Sequence, residues 1–137
     1  MSARILYVDA GGRSHGDISI GVADELGHLL EAKVMRDTLL NHAELSAVLL
    51  ACDHIASERG VILTDSLTAA KSMGRDLGLH KLASRVDEYL ALRDAIRERL
   101  PGGWNVAWIP RQRNLADAAL ESWIRSMDPV NVGGEAS

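Results

Sequence analysis

Arg4-Ile-Leu-Tyr-Val-Asp-Ala-Gly-Gly12 is the stretch that decides the fold. After the opening arginine it runs through apolar, β-branched and aromatic residues, which predicts a buried strand. Asp9 closes that strand, and Ala10-Gly11-Gly12 reads as the turn that follows. A second stretch is built in the same way. Val61-Ile-Leu-Thr64 is apolar up to Asp65 and passes into a short helix from Ser66 to about Arg75. Two apolar strands that each stop at an aspartate are the frame to which the rest of the chain attaches.

Between them, Ile18–Ala23 and Leu29–Arg36 are strand candidates, joined by Asp24–His28, where Gly27 suits a hairpin loop. These predict an antiparallel meander. From His42 to Arg59, Ala43, Ala47, Val48, Leu50, Ala51, Ile55 and Ala56 recur at helical spacing, with Gly60 as the stop signal. Beyond Asp65, His80–Leu100 predicts a long helix with Leu82, Val86, Leu90 and Ile96 toward the core, ended by Pro101-Gly-Gly103. Trp104–Ile109 predicts a fifth strand with Trp104, Val106 and Trp108 on one covered face. A last helix is expected from about Leu115 to Met127, and residues 128–137 lack periodicity and read as a flexible tail. The order βββαβααβα predicts an α/β fold in one domain over residues 1–127, a five-stranded mixed sheet with helices on both faces. A crossover would lay the fourth strand parallel to the first, making Asp9 and Asp65 neighbours at one sheet edge.

The 137 residues are 47% hydrophobic and 25% charged, enough apolar material for a core and not the composition of a disordered chain. No apolar run approaches the ~18 residues of a membrane span, and the first residues lack a signal-peptide core, so a cytoplasmic protein with no membrane partner is expected. Cys52 is the single cysteine, which excludes an internal disulfide and a Cys-rich zinc site. Fifteen basic against nineteen acidic residues give a net charge of −4, so any contact with a polyanion must be local.

Four carboxylates stand at element boundaries. Asp9 sits where a charge entering the sheet needs a partner, or it opens a turn before Gly11. Glu44 lies on the buried stripe of its helix, or it completes a capping box three residues after Asn41. Asp65 can cap the helix at Ser66. Asp117, three residues after Asn114, suits the first turn of the last helix. Caps need no relation to one another; four acids converging on one sheet edge do need one.

Tyr7-Val-Asp9-Ala-Gly-Gly12, Asn41-His-Ala-Glu44-Leu45, Leu63-Thr-Asp65-Ser66 and Ile109-Pro-Arg-Gln-Arg-Asn114-Leu-Ala-Asp117-Ala-Ala-Leu120 together resemble the four motifs of type 1 ribonuclease H. The similarity runs from the first strand to the last helix. Its closing Arg-x-x-Asn-x-Ala-Asp pattern resembles the compact archaeal and plant-type forms. The resemblance implies a ribonuclease H-like fold and an endonuclease that cuts the RNA strand of an RNA–DNA hybrid, leaving 5′-phosphate and 3′-hydroxyl ends. It implies that Asp9, Glu44, Asp65 and Asp117 are catalytic and hold two Mg²⁺ ions, with Mn²⁺ as a substitute. Four clustered carboxylates need such a compensating charge, and two ions roughly 3.5–4 Å apart would supply it. Asp9 would be shared between the ions, with Asp65 beside it, Glu44 near the leaving group and Asp117 near the attacking water. Hybrid contacts are implied for Gly11, Gly12, Arg13, Asn41, Ser66, Arg111 and Arg113, and the expected state is a monomer.

The sequence departs from the family in three places. Arg13-Ser-His-Gly16-Asp17 replaces an Asn-Pro-Gly element after the first strand. Gln112, Arg113 and Asn114 stand where many relatives have a loop histidine, so Arg111 or Arg113 is expected on phosphate instead. Residues 66–103 hold seven basic and five acidic side chains and no Trp, so the basic protrusion of some relatives is missing. A non-catalytic module on the same fold has no need of four mutually repelling acids. Other nucleases on that scaffold fit Glu44 and Asp65-Ser66 less well.

Overall fold

A computed structural model of the chain describes residues 3–12, 17–74 and 85–127. Its elements are β1 (Arg4–Gly12), β2 (Ile18–Ala23), β3 (Leu29–Met35), α1 (Leu40–Cys52), β4 (Gly60–Thr64), α2 (Leu67–Ser72), α3 (Val86–Arg99), β5 (Trp104–Trp108), a 3-10 turn at Arg111–Arg113 and α4 (Leu115–Met127). Arg13, His80, Leu82 and the expected tail at 128–137 lie outside the described residues. Among the described residues no helix is long and apolar enough to cross a membrane.

The five strands form one mixed sheet in the order β3-β2-β1-β4-β5. β1–β2 and β2–β3 are antiparallel, as a meander requires, and the β2–β3 turn holds Gly27 at φ 83, where a side chain would be strained. β1–β4 and β4–β5 are parallel, and the β1–β4 register ends at Val8 opposite Thr64. Asp9 and Asp65 therefore stand one step past the same pair, as expected.

Asp9 does not close β1. The strand runs on to Gly12, pairing Asp9 with Gly21, Gly11 with Ser19 and Gly12 with Ile18. On its other side β4 has already stopped, so from Asp9 onward β1 is paired along one edge only. Ala10-Gly11-Gly12 is thus strand and not turn, and its glycines answer to packing. A Cβ on Gly11 would stand 3.1 Å from Ile124, and one on Gly21 would stand 3.0 Å from Leu120, so bare backbone lets α4 lie close against this face. α1 covers the other face, where Leu6, Val8, Ile20 and Val22 join Ala43, Leu45 and Val48 in the core.

α1 is buried almost all round, from His42 through Val48. It ends at Cys52 and not at Arg59. The N–H groups of Asp53, His54 and Ile55 fold back on the carbonyls of Leu50, Ala51 and Cys52, and the side chains of Asp53 and His54 turn away to Arg99 and Glu31, at 2.9 and 2.8 Å. Asp37, ahead of α1, and Arg85, ahead of α3, both adopt left-handed backbone, φ 51 and 56. The Arg85 guanidinium donates to the Asp37 carbonyl at 2.9 Å, and His42 Nε2 donates to the Arg85 carbonyl at 2.8 Å. That exchange ties the start of α1 to the start of α3. On α3 the fully buried positions are Tyr89 and Ile96; Leu90 is only partly covered. Trp104 is buried as expected, but Trp108 is half-exposed, because β5 is an edge strand and not a central one.

Gly60 opens β4 between Arg4 and Trp104. A Cβ there would meet the Trp104 indole at 2.5 Å and the Arg4 carbonyl at 2.6 Å, and that indole is pinned by its Nε1–H bond to the Ser57 carbonyl at 2.9 Å. Neither neighbour can give way cheaply. Gly60→Ala should therefore destabilise the protein by about 1–3 kcal/mol in a denaturant melt. Gly102→Ala, where an added Cβ meets nothing within 4 Å, should stay within about 0.5 kcal/mol. Equal midpoints for the two variants would show that β4 does not need this close approach.

Candidate functional site

Three of the four predicted acids converge. A carboxylate oxygen of each of Asp9, Glu44 and Asp65 lies within 4.8 Å of the other two. They come from β1, α1 and the residue after β4, so long-range topology assembles them and no local motif does. Asp117, in the first turn of α4, lines the same groove as Asp9, close enough for its charge to act on Asp9, and completes the set from the opposite face of the sheet. Arg111 Nε lies 3.6 Å from Asp117 Oδ2.

The capping roles that competed with this clustering fall to other residues in two cases. α1 starts after Leu39 with no side-chain cap, and Asn41 is already inside the helix, so Asn41 and Glu44 do not form a capping box. α2 is capped by Ser66, whose Oγ accepts the Ala69 N–H at 3.1 Å, which leaves Asp65 free of that duty. For α4 the expected cap is present: Asn114 Oδ1 accepts the Ala116 N–H at 3.0 Å. Asn114 also does something that its spacing did not signal. Its Nδ2 donates to the Val8 carbonyl at 2.9 Å and to Asp65 Oδ2 at 3.1 Å. Trp108, expected in the core, instead donates its indole N–H to the Asp65 carbonyl at 3.3 Å.

Asp9 and Glu44 are only 6% and 7% exposed, too buried for both to ionise at ordinary carboxylate pH. Burial above all, followed by the charges of Asp65 and Asp117, pushes the Asp9 carboxyl up to about 8. Burial, then Asp9 and Asp65, pushes Glu44 up to about 9, against a smaller opposing pull from Arg111. Glu44 Oε2 is buried with no hydrogen-bond partner among the described residues. An arrangement of this kind asks for a cation, and its oxygen-only donor set suits a hard divalent ion.

A groove of about 340 Å³ opens beside Asp9 and Asp117, lined by Gly11, Arg111, Leu120, Glu121, Ile124 and Arg125. Arg113 is exposed on the same 3-10 turn as Arg111, and Asn41 is half-buried one helical turn before Glu44. A larger cavity of about 420 Å³, between the turn ahead of α1 and α3, contains none of the four acids.

No protein-family model matches the sequence, and no curated protein does. Solved structures do match. Ribonuclease H1 from the halophilic archaeon Halobacterium salinarum NRC-1 shares 18% identity at a TM-score of 0.62, over 88% of this chain and 99% of that one. LC11-RNase H1, isolated from compost by a metagenomic approach, shares 22% identity at a TM-score of 0.59, over 90% and 99%. The same LC11-RNase H1 solved in complex with an RNA/DNA hybrid gives 21% identity and a TM-score of 0.56, over 88% and 99%. With its five-stranded mixed sheet and flanking helices, this chain has the type 1 ribonuclease H-like fold.

Proposed function

We propose that this chain is a divalent-metal-dependent endoribonuclease that hydrolyses the RNA strand of RNA–DNA hybrids, leaving 5′-phosphate and 3′-hydroxyl ends. The observation that carries the proposal is the convergence of Asp9, Glu44 and Asp65 within 4.8 Å, with Asp117 on the same groove as Asp9. The complex of LC11-RNase H1 with a hybrid supports the choice of substrate class.

The four acids fit the metal that the fold implies, since Asp9 and Glu44 are too crowded to ionise alone and Glu44 Oε2 has a buried lone pair to give. Two Mg²⁺ ions, or Mn²⁺ in their place, would supply a water made acidic enough to attack and charge stabilisation at the departing oxygen. Asp9 touches both groups of partners, Glu44 and Asp65 on one side and Asp117 on the other, and would be the shared ligand. The remaining residues bind and orient. Arg111, beside Asp117, and Arg113, exposed on the same turn, take backbone phosphate. Asn41 offers a carboxamide for the 2′-hydroxyl that separates RNA from DNA. Gly11 lines the groove and Gly12 ends the strand beside it, where absent side chains let a nucleotide backbone approach. Ser66 spends one lone pair on the α2 cap, and its hydroxyl hydrogen is offered to substrate.

Labelled hybrid should be cut with Mg²⁺ or Mn²⁺ and left intact in EDTA, while double-stranded DNA should survive in every condition. Asp9→Asn and Asp65→Asn should abolish cleavage with the fold retained. Glu44→Gln, which keeps shape and loses charge, should lower turnover at least ~100-fold, a loss of about 3 kcal/mol in transition-state stabilisation. Wild-type turnover in these variants, or cleavage that persists in EDTA, would sink the proposal.

Without metal, the same crowding gives stability a definite pH dependence. In the unfolded chain both carboxyls ionise near about 4, whereas the native protein keeps the Asp9 proton to about 8 and the Glu44 proton to about 9. Between those limits the native state binds more protons, so the contribution of the two groups is complete below about pH 4 and is lost as pH rises through 8 and 9. Denaturant midpoints in EDTA should fall over that range, and the fall should be smaller in Asp9→Asn, which should also be the more stable protein at pH 9. Identical profiles for the two proteins would show that Asp9 ionises without penalty.

A further inference from the structure

Asn114 is 5% exposed although it follows a fully exposed turn, and its carboxamide is committed at both ends. Oδ1 takes the Ala116 N–H at the start of α4, while Nδ2 reaches the Val8 carbonyl at 2.9 Å and Asp65 Oδ2 at 3.1 Å. Val8 is the last β1 residue paired to β4, so this contact closes the point where β4 has run out. The three bonds thus touch the elements that carry Asp9, Asp65 and Asp117. Capping alone would leave both amide hydrogens idle, and Ser, Thr or Asp would cap as well. An acceptor for the helix together with two donors for β1 and Asp65 is a combination that only a primary amide of this length supplies here.

We propose that Asn114 is a positioning residue for the acid cluster, holding the Asp65 carboxylate in one orientation against β1 and keeping the Asp117 helix in register with it. Because Oδ2 is held, rotation of the Asp65 carboxylate is restrained, and the placement of its second oxygen is restrained with it. The Trp108 indole on the Asp65 carbonyl steadies the same residue from its backbone side. The binding and kinetic consequences rest on the metal-dependent reading above; the geometric one does not.

Two variants separate positioning from capping. Asn114→Ser keeps a capping oxygen and is too short to span to Asp65. Asn114→Asp keeps shape and cap and replaces the donor with an anion. Each is to be compared with the wild type by a metal-free crystal structure, by calorimetric titration with Mn²⁺ in the absence of nucleic acid, and by hybrid-cleavage kinetics at saturating Mg²⁺. The expected result is an Asp65 carboxylate turned or split between rotamers, Mn²⁺ affinity lower by roughly 10–100-fold, and kcat reduced over a similar range, with KM for the hybrid unchanged. An Asp65 carboxylate in its wild-type place, with Mn²⁺ affinity within about twofold of wild type, would reduce Asn114 to a helix cap and overturn the proposal. If Asn114→Ser does not fold, Asn114→Asp decides by the same measurements. Should the wild type itself bind no Mn²⁺ and cut no hybrid, the functional reading falls, and the position of Asp65 in the variant structures alone supports or overturns the role of Asn114.

Discussion

Holding Asp9 and Glu44 out of water beside two further carboxylates is the constraint that the rest of the molecule serves. Burial opposes ionisation of each, and each neighbouring charge opposes it further, so no acid in the set would gather there by its own preference. The sheet imposes the arrangement. β1 overruns β4 at Asp9, α1 is buried all round and brings Glu44 in from one face, and α4 lies on Gly11 and Gly21 to bring Asp117 in from the other. The hydrophobic core and the two ladders stabilise a cluster that is unfavourable in isolation. Strain of this kind is commonly concentrated at functional sites.

The frame around the cluster is correspondingly rigid. Asn114, Trp108 and Ser66 all act within a few residues of Asp65, through a carboxamide, an indole and a helix cap. The start of α1 is held by the exchange among Asp37, Arg85 and His42, in which two residues accept left-handed backbone so that two carbonyls find donors. Charged side chains that could approach from solvent, Arg111 and Arg113, sit outside this frame on an exposed turn. The division is between acids braced by buried neighbours and arginines left exposed to solvent.

Much of this was legible in the sequence because it rested on periodicity and punctuation. The meander, the parallel placement of Asp9 next to Asp65 and the cap at Asn114 all followed from apolar runs, turn residues and spacing. The errors have a common source, since they concern what a neighbour distant in sequence does. Gly11 and Gly12 look like a turn until β2 pairs with them and α4 packs on Gly11. The helical pattern of His42–Arg59 continues past Cys52, but Arg99 and Glu31 draw Asp53 and His54 out of it. Trp108 alternates correctly with Trp104 and is nonetheless half-exposed, because alternation specifies a face and not whether the strand is central. The second task of Asn114 has no local signature at all, since its partners lie 106 and 49 residues away.

Those separations also bear on how the chain comes to be made. The β1–β2–β3 meander uses short-range contacts and can form early, whereas the pairing of β1 with β4 and the bonds from Asn114 close large loops and belong to the slow part of folding. Emerging from the ribosome, the chain has Asp9, Glu44 and Asp65 long before it has Asn114 and Asp117. A nascent protein with a finished meander therefore still lacks the helix and the carboxamide that complete the four-acid set, and it gains both only when residues 114–127 have been added and α4 has docked.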